Sequence, residues 1–397
     1  MENSIGKGRL TMKNFIFSYP VKVYFGKGCV REYLASLIRP YHTVMLACGG
    51  GSIKKNGIYD EVTGILSAEG KTVVEFPGIM PNPTYARVQE GAKLAREKGV
   101  DFILAAGGGS TIDCCKIVAA QAMQDQDIWT MEMEKRDMPD RFLPMGAIVT
   151  VAGTGSEMNN GAVITNNDRK MKCGMLGAAS DFALLDPAYT LSVPMRQVIS
   201  GAFDTLSHAM ETYFGRPHDR NNLSDDINEA IMRGIIANIR GLLKEPDSYE
   251  FRSELMWASA MAENGILKIG KVTDFQCHQM EHQLGAYTDC NHGEGLAVLH
   301  PALYRHIYKD GLAKFQRFAT EVWGIDPTGR SAGETAAAGV EALADFIREI
   351  GLPTSFHEMG IDPGTDFEAI ANSTNITAGC CRKLTHEEIL AIFNECR

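Results

Sequence analysis

Phe102-Ile-Leu-Ala-Ala-Gly-Gly-Gly-Ser-Thr-Ile-Asp113 sets five apolar residues before three glycines and a serine, and residues 113–123 then continue in helical rhythm. A short apolar run that ends in glycines reads as a buried strand, and the helix after it would turn its N-terminal N–H groups toward the loop. Such a loop suits a pyrophosphate, although a plain tight turn accounts for the same letters. The pattern recurs outward from this stretch. Thr43-Val-Met-Leu-Ala-Cys48 runs into Gly49-Gly-Gly-Ser52, residues 71–76 end at Pro77-Gly78, and residues 143–151 enter Ala152-Gly-Thr-Gly-Ser-Glu157. Residues 85–99 carry Val88, Ala92 and Ala95 on one helical stripe, with Gly99 where a C-cap belongs. Strands alternating with helices predict a Rossmann-like parallel sheet with flanking helices, whose loops at one sheet edge form a ligand crevice.

Beyond Leu184-Leu-Asp-Pro187 and Val193-Pro194 the character changes. Residues 198–214, 223–243, 251–266, 271–285, 332–350 and 386–396 all read as helices, and strand alternation stops. The expected organisation is an α/β dinucleotide-binding domain over residues 13–190 and an all-α, metal-binding domain over 191–397. Met12 is a candidate start, so residues 1–11 are left out of the fold reading.

Composition narrows the function. The chain has 397 residues, 45% hydrophobic and 22% charged, in the range of a globular protein. Its 39 basic and 49 acidic residues give a net charge of −10 without a basic block, which argues against a nucleic-acid surface. No apolar run reaches the roughly 18 to 20 residues of a membrane span, and the N-terminus does not resemble a secretory signal. A cytoplasmic protein with reduced thiols is expected. The ten cysteines include the adjacent pairs Cys114-Cys115 and Cys380-Cys381 but no Cys-x-x-Cys. Met131-Glu-Met-Glu134 reads as adaptable packing.

Two segments carry ion-binding chemistry. Asp204 and His208 stand four residues apart, as do His278 and His282, and either pair shares a helix face. His292-Gly293 follows the turn-rich Asp289-Cys-Asn, where glycine would free the backbone to point the imidazole inward. Cys277 and Cys290 lie nearby, but on a helix Cys277 points about 100° away from His278. An ion needs three or four protein ligands and five candidates are present, and spacing does not choose among them. Imidazoles with one carboxylate suit Fe(II) or Zn(II) better than Mg or Ca.

The nucleotide reading rests on the glycine loops, since Gly-x-Gly-x-x-Gly is absent. Gly49-Gly-Gly-Ser-Ile-Lys-Lys55 has no acid to meet a ribose 2′-hydroxyl. Small residues, Ser52 and Lys54 or Lys55 would accept a 2′-phosphate, which favours NADP(H) over NAD(H).

Together, Pro81-Asn-Pro-Thr84, Gly107-Gly-Gly-Ser-Thr-Ile-Asp113, Gly153-Thr-Gly-Ser-Glu157, Asp204-x3-His208 and His278-x3-His282-x9-His292-Gly293 resemble the iron-containing (group III) alcohol dehydrogenase family from about residue 13 onward. The resemblance is greatest to its NADPH-dependent butanol dehydrogenase and aldehyde reductase branch, with a dehydroquinate synthase-like architecture. It implies Asp204, His208, His278 and His292 as metal ligands and His282 as a histidine near the nicotinamide, able to relay a proton if its pKa stays near 6.5. It also implies that Asn82, Gly107, Gly108, Gly109, Ser110, Asp113, Thr150, Thr154 and Lys170 line the cofactor cleft, beside Gly49, Gly50, Gly51 and Ser52. Val151-Ala152 departs from the hydroxyl residues common before Gly-Thr-Gly. The implied activity is hydride transfer between NADP(H) and a primary alcohol/aldehyde pair, in a homodimer. The rival readings are a glycerol-dehydrogenase-like or dehydroquinate-synthase-like enzyme, and a non-catalytic nucleotide- and metal-binding regulator.

Overall fold

The computed structural model describes residues 15–216, 221–273, 275–379 and 381–397. Cys380 and the start at Met12 therefore lie outside the described residues.

Six parallel strands form the central sheet: β1 (Lys22–Phe25), β2 (Thr43–Cys48), β3 (Thr72–Phe76), β4 (Phe102–Gly107), β5 (Met145–Val149) and β8 (Phe182–Leu185). Their order is β1-β8-β5-β4-β2-β3. An antiparallel hairpin, β6 (Gly161–Asn166) with β7 (Met171–Leu176), stands apart from the sheet. The helices of this half are α1 (Cys29–Ile38), α2 (Ser52–Lys55), α3 (Ile58–Ala68), α4 (Tyr85–Lys98) and α5 (Gly109–Met123). Every residue of β4 is buried, because helices cover both faces of a parallel sheet, and the strand therefore reads as one apolar run. Ile103 and Ala105 pack into one layer, while Phe102, Leu104 and Ala106 pack into the other. β2 pairs with β3 on one side and β4 on the other, so the strand order reverses there and a crevice opens beyond Cys48 and Gly107.

The last strand ends at Leu185 and the long helices begin at Met195. They are α6 (Met195–Tyr213), α7 (Leu223–Lys244), α8 (Tyr249–Glu263), α9 (Gln276–Thr288), α10 (His292–Ile307), α11 (Leu312–Arg317), α12 (Ala332–Glu349), α13 (Phe367–Ser373) and α14 (His386–Glu395). They enclose their own apolar core, in which Phe203, Leu206, Met280, Leu284 and Leu299 are buried. No described helix is long and apolar enough to cross a membrane.

Three expectations change. The helix expected over 271–285 runs over Gln276–Thr288, because Phe275 adopts a left-handed conformation (φ 54°, ψ 49°) that no helix can propagate through. His292 does not sit in a turn: Asn291 caps α10 by accepting a hydrogen bond from the Glu294 N–H, and His292 is the first helical residue. Gly293 serves close approach instead of a turn, since a Cβ there would lie 2.3 Å from the Ser200 carbonyl oxygen of α6. Met131-Glu-Met-Glu134 lies in a π-helical turn over Thr130–Lys135, and Glu132 and Met133 face the crevice as well as packing.

Candidate active site

A cleft of about 1350 Å³ runs from the glycine loops of the sheet to α6, α9 and α10. At its helical end, the i, i+4 spacing puts Asp204 and His208 on one face of α6, and the start of α9 supplies His278. The first residue of α10 supplies His292. Asp204 Oδ1 lies 3.6 Å from His208 Nε2, 3.6 Å from His278 Nε2 and 3.5 Å from His292 Nε2. Ligands about 2.1 Å from a tetrahedral ion stand about 3.4 Å from one another, so each nitrogen is at ligand spacing from Asp204 Oδ1. Asp204, His208 and His278 offer atoms that all lie within 4.8 Å of one another, and His292 joins them through Asp204 alone. Asp204 Oδ1 and His278 Nε2 are buried without a hydrogen-bond partner, a costly arrangement that a cation between them removes. The residues present thus fit a divalent ion.

Each imidazole meets a carboxylate on its other side. Glu211 of α6 accepts from His278 Nδ1, Glu281 of α9 accepts from His292 Nδ1, and Glu263 of α8 lies 3.7 Å from His208 Nδ1. The two that accept a hydrogen bond fix their ring and make Nε2 a better donor to a metal, whereas His208 Nδ1 and Glu263 Oε1 make none. Glu281 is itself clamped by Lys172 of β7 at 3.1 Å, with both side chains almost fully buried. Glu263 is paired with Lys268 at 2.9 Å. Glu281, His282 and His292 also lie close enough to one another to suggest an ion. There, however, Glu281 meets the Nδ1 of His292, the side away from Asp204, so the contact is a hydrogen bond and the convergent set is the one on Asp204.

Charges in the site favour a cation. Burial raises the Asp204 carboxyl, but His208 and His292 outweigh it and hold the group well below the usual range. Burial lowers His278, yet the nearby Asp204 carboxylate and the bond to Glu211 carry it up to about 9. His282 behaves differently. Burial first, and then the Lys172 ammonium, hold it well below its ordinary value, which overturns the expectation of a pKa near 6.5. Its Nδ1 is buried and unpartnered, and the side chain lines the cleft.

At the other end, Gly49, Gly50, Ser52, Asn82, Gly108, Gly109, Ser110, Asp113 and Thr154 line the cleft. A Cβ on Gly109 would lie 2.2 Å from Thr154 Oγ1, so glycine lets the two loops touch. Four expected contacts do not line it. Gly51 (φ 106°) turns the chain into α2, Gly107 closes β4 with its carbonyl bonded to Thr150 N–H, and Thr150 is buried behind that bond. Lys170 sits in the hairpin turn with its ammonium 5.3 Å from the Tyr287 ring centroid, and Lys172 lines the cleft in its place. Several expected contacts are already engaged within the protein, among them Ser110, whose hydroxyl donates to the Pro81 carbonyl, and Thr154, whose hydroxyl oxygen accepts from the Ser156 N–H. Asp113 accepts from Ser156 Oγ and the Val163 N–H, tying the two glycine loops to the hairpin, and Asn82 donates to Asp289 across the cleft at 2.6 Å. Lys54, read as available to a phosphate, pairs with Glu75 at 3.4 Å.

Phe275 was not singled out by sequence. It lines the cleft, and its ring stands edge-on to His278 (centroids 5.1 Å, 68°) and His208 (5.9 Å, 65°). Its left-handed backbone costs about 1–3 kcal/mol in a residue of this kind. The cleft-lining Val151 and Ala152 replace the expected hydroxyls with apolar surface.

Two family models match the chain: iron-containing alcohol dehydrogenase over residues 20–187, and the C-terminal part of the Fe-containing alcohol dehydrogenase family over residues 198–396. The chain belongs to the iron-containing alcohol dehydrogenase family. Membership brings a divalent ion and a nicotinamide cofactor with it, and makes the protein an oxidoreductase of the alcohol dehydrogenase and aldehyde reductase type. Among its relatives is the NADH-dependent butanol dehydrogenase A of Clostridium acetobutylicum, 39% identical over 97% of this chain and all of that one. The NADPH-dependent aldehyde reductase YqhD of Escherichia coli is 36% identical over 88% of this chain and 90% of its own. The solved structure of NADH-dependent butanol dehydrogenase A from Thermotoga maritima is 33% identical, with a TM-score of 0.91 over 97% of this chain and 99% of that one.

Proposed function

We propose that this protein reversibly transfers hydride between NADP(H) and a primary alcohol/aldehyde pair, with Asp204, His208, His278 and His292 holding one divalent ion, Fe(II) or Zn(II). The observation that carries the reading is the convergence of three Nε2 atoms on Asp204 Oδ1 at 3.5–3.6 Å, at the end of a cleft whose other end is a glycine-loop crevice. When bound, the ion supplies Lewis acidity toward a carbonyl or hydroxyl oxygen, and the nicotinamide supplies or accepts the hydride.

The chain's own residues do the rest. Glu211 and Glu281 orient the imidazoles of His278 and His292, and Glu263 places a negative charge beside His208. The N-terminus of α5 and the loops at Gly49–Ser52 and Gly108–Ser110 receive the pyrophosphate and the adenosine end. Val151 and Ala152 give the inner cleft an apolar wall that limits water. His282, which burial and the Lys172 ammonium keep neutral, lines the cleft as a hydrogen-bonding side chain beside the proposed ligands and is a poor acceptor for the substrate proton.

NADP(H) is preferred in this reading because no cleft-lining residue between 49 and 83 is acidic, while Lys55 stays exposed beside them. The pairing of Lys54 with Glu75 moderates that preference. The same reading includes a homodimer, for which β1 is an edge strand and Phe15, Ile16 and Phe17 preceding it are exposed.

The test is elemental analysis of anaerobically purified protein, with NADPH and NADH oxidation followed over a series of linear aldehydes. Asp204→Ala and His278→Ala are each expected to lose the ion and at least about a hundredfold in activity. Full metal content with unchanged aldehyde-dependent oxidation in either variant would sink the proposal, and faster turnover with NADH would reverse the cofactor preference.

A further inference from the structure

A phenylalanine in left-handed conformation is a misfit that glycine or asparagine would relieve. At Phe275 it recurs at a point of contact with two of the four side chains proposed to hold the ion. The ring is half-buried and faces the cleft, while the Lys268 ammonium, anchored on Glu263, lies 5.1 Å from its centroid. The Phe275 carbonyl accepts the Gln279 N–H at 2.9 Å and so starts α9, which fixes the ring relative to His278 one turn away. The ring thus has two imidazoles on one flank and the Lys268 ammonium of a charged pair on another.

Asp204 and Phe275 line the same cleft, so a substrate that reaches Asp204 through it shares the space with the Phe275 ring. A carbonyl carbon brought there carries its chain past the Phe275 ring.

We propose that Phe275 is a specificity-determining residue that admits unbranched aliphatic aldehydes and primary alcohols and excludes those branched or aromatic next to the reacting carbon. This rests on the aldehyde-reducing activity proposed above. In this proposal the edge of the ring leaves room for a methylene at the α-carbon and crowds a second substituent there. Apolar Val151 and Ala152 on the cleft wall suit a hydrocarbon chain.

The test compares butanal with 2-ethylbutanal in the wild type and in Phe275→Ala, Phe275→Leu and Phe275→Tyr, with metal content and NADPH affinity measured on each. Phe275→Ala is expected to raise the ratio of kcat/KM for 2-ethylbutanal over butanal by about tenfold or more, mainly through KM. Phe275→Leu falls between, Phe275→Tyr leaves the ratio unchanged, and all retain the ion. A ratio within about twofold of wild type in a fully metallated Phe275→Ala overturns the proposal. Loss of the ion from both the Ala and Leu variants also overturns it, because the ring would then serve the imidazoles and not the substrate. A wild type that reduces no aldehyde with either nicotinamide sinks the underlying activity and this reading with it.

Discussion

Glu281 shows how much of this site lies one residue behind the side chains that face the ion. Its Oε2 takes both the His292 Nδ1–H and the Lys172 ammonium, so a single oxygen sets the angle of a proposed ligand. Glu281→Gln keeps the size and one acceptor but removes the charge, and is expected to weaken metal affinity about 10- to 100-fold, read by competition with a chelator. Unchanged affinity would mean that the ring is oriented by something else. The sequence held half of this information. Glu211 and Glu281 each stand three residues after a proposed ligand, on the same helix face as His208 and His278, and that spacing was there to be read. Glu263 and Lys172 had no such signal, since they reach the site from 55 residues after His208 and 109 residues before Glu281. Phe275 was hidden for a different reason: nothing local marks an aromatic residue as left-handed when tertiary contacts impose it.

Among the elements, the sheet was legible and the hairpin was not. β2, β4 and β5 announce themselves as apolar runs because both faces of the sheet are covered there, and β3, an edge strand with Thr72 and Glu75 exposed, is marked instead by Pro77-Gly78 after it. β6 and β7 carry polar residues, a glycine and a lysine that faces a buried glutamate, so they lack the apolar period of a strand. The loop before the hairpin holds a testable charge. Glu157, in the turn Ser156–Met158, is buried, and burial raises its carboxyl from 4.5 to about 7. The folded protein then keeps a proton that the unfolded chain has released between those values, so this group's contribution falls as pH rises from about 4.5 to 7. Glu157→Gln escapes that loss. Relative to wild type it is expected to gain stability between pH 5 and pH 8, by at most about 3 kcal/mol, in urea titrations at the two pH values. An equal difference at both would show that the carboxyl is ionised in the folded state throughout.

At the scale of the whole molecule, the outer edge of β1 and the residues before it are the surface most in need of a partner. Ile16 is 99% exposed, beside Phe15 and Phe17, and an open edge strand invites pairing. Ile16→Asp is expected to shift the proposed homodimer toward monomer in sedimentation equilibrium at micromolar concentration. A wild type that sediments as a monomer would remove the dimer from the reading. The change from alternating elements to helices near residue 190 was visible in the sequence, since period and strand content both switch there. What could not be seen was how the two halves share charge. Lys172 belongs to the hairpin and Glu281 to a helix about a hundred residues later, and each is buried against the other. Asn82 and Asp289 make a second, polar tie across the same cleft. Separated from its neighbour, each half would lose the counter-ion that compensates its buried charge and the surface that covers it. The modular look of the chain is therefore misleading as a guide to cutting it: ownership of the ion site is joint, and the two halves should melt as one cooperative unit.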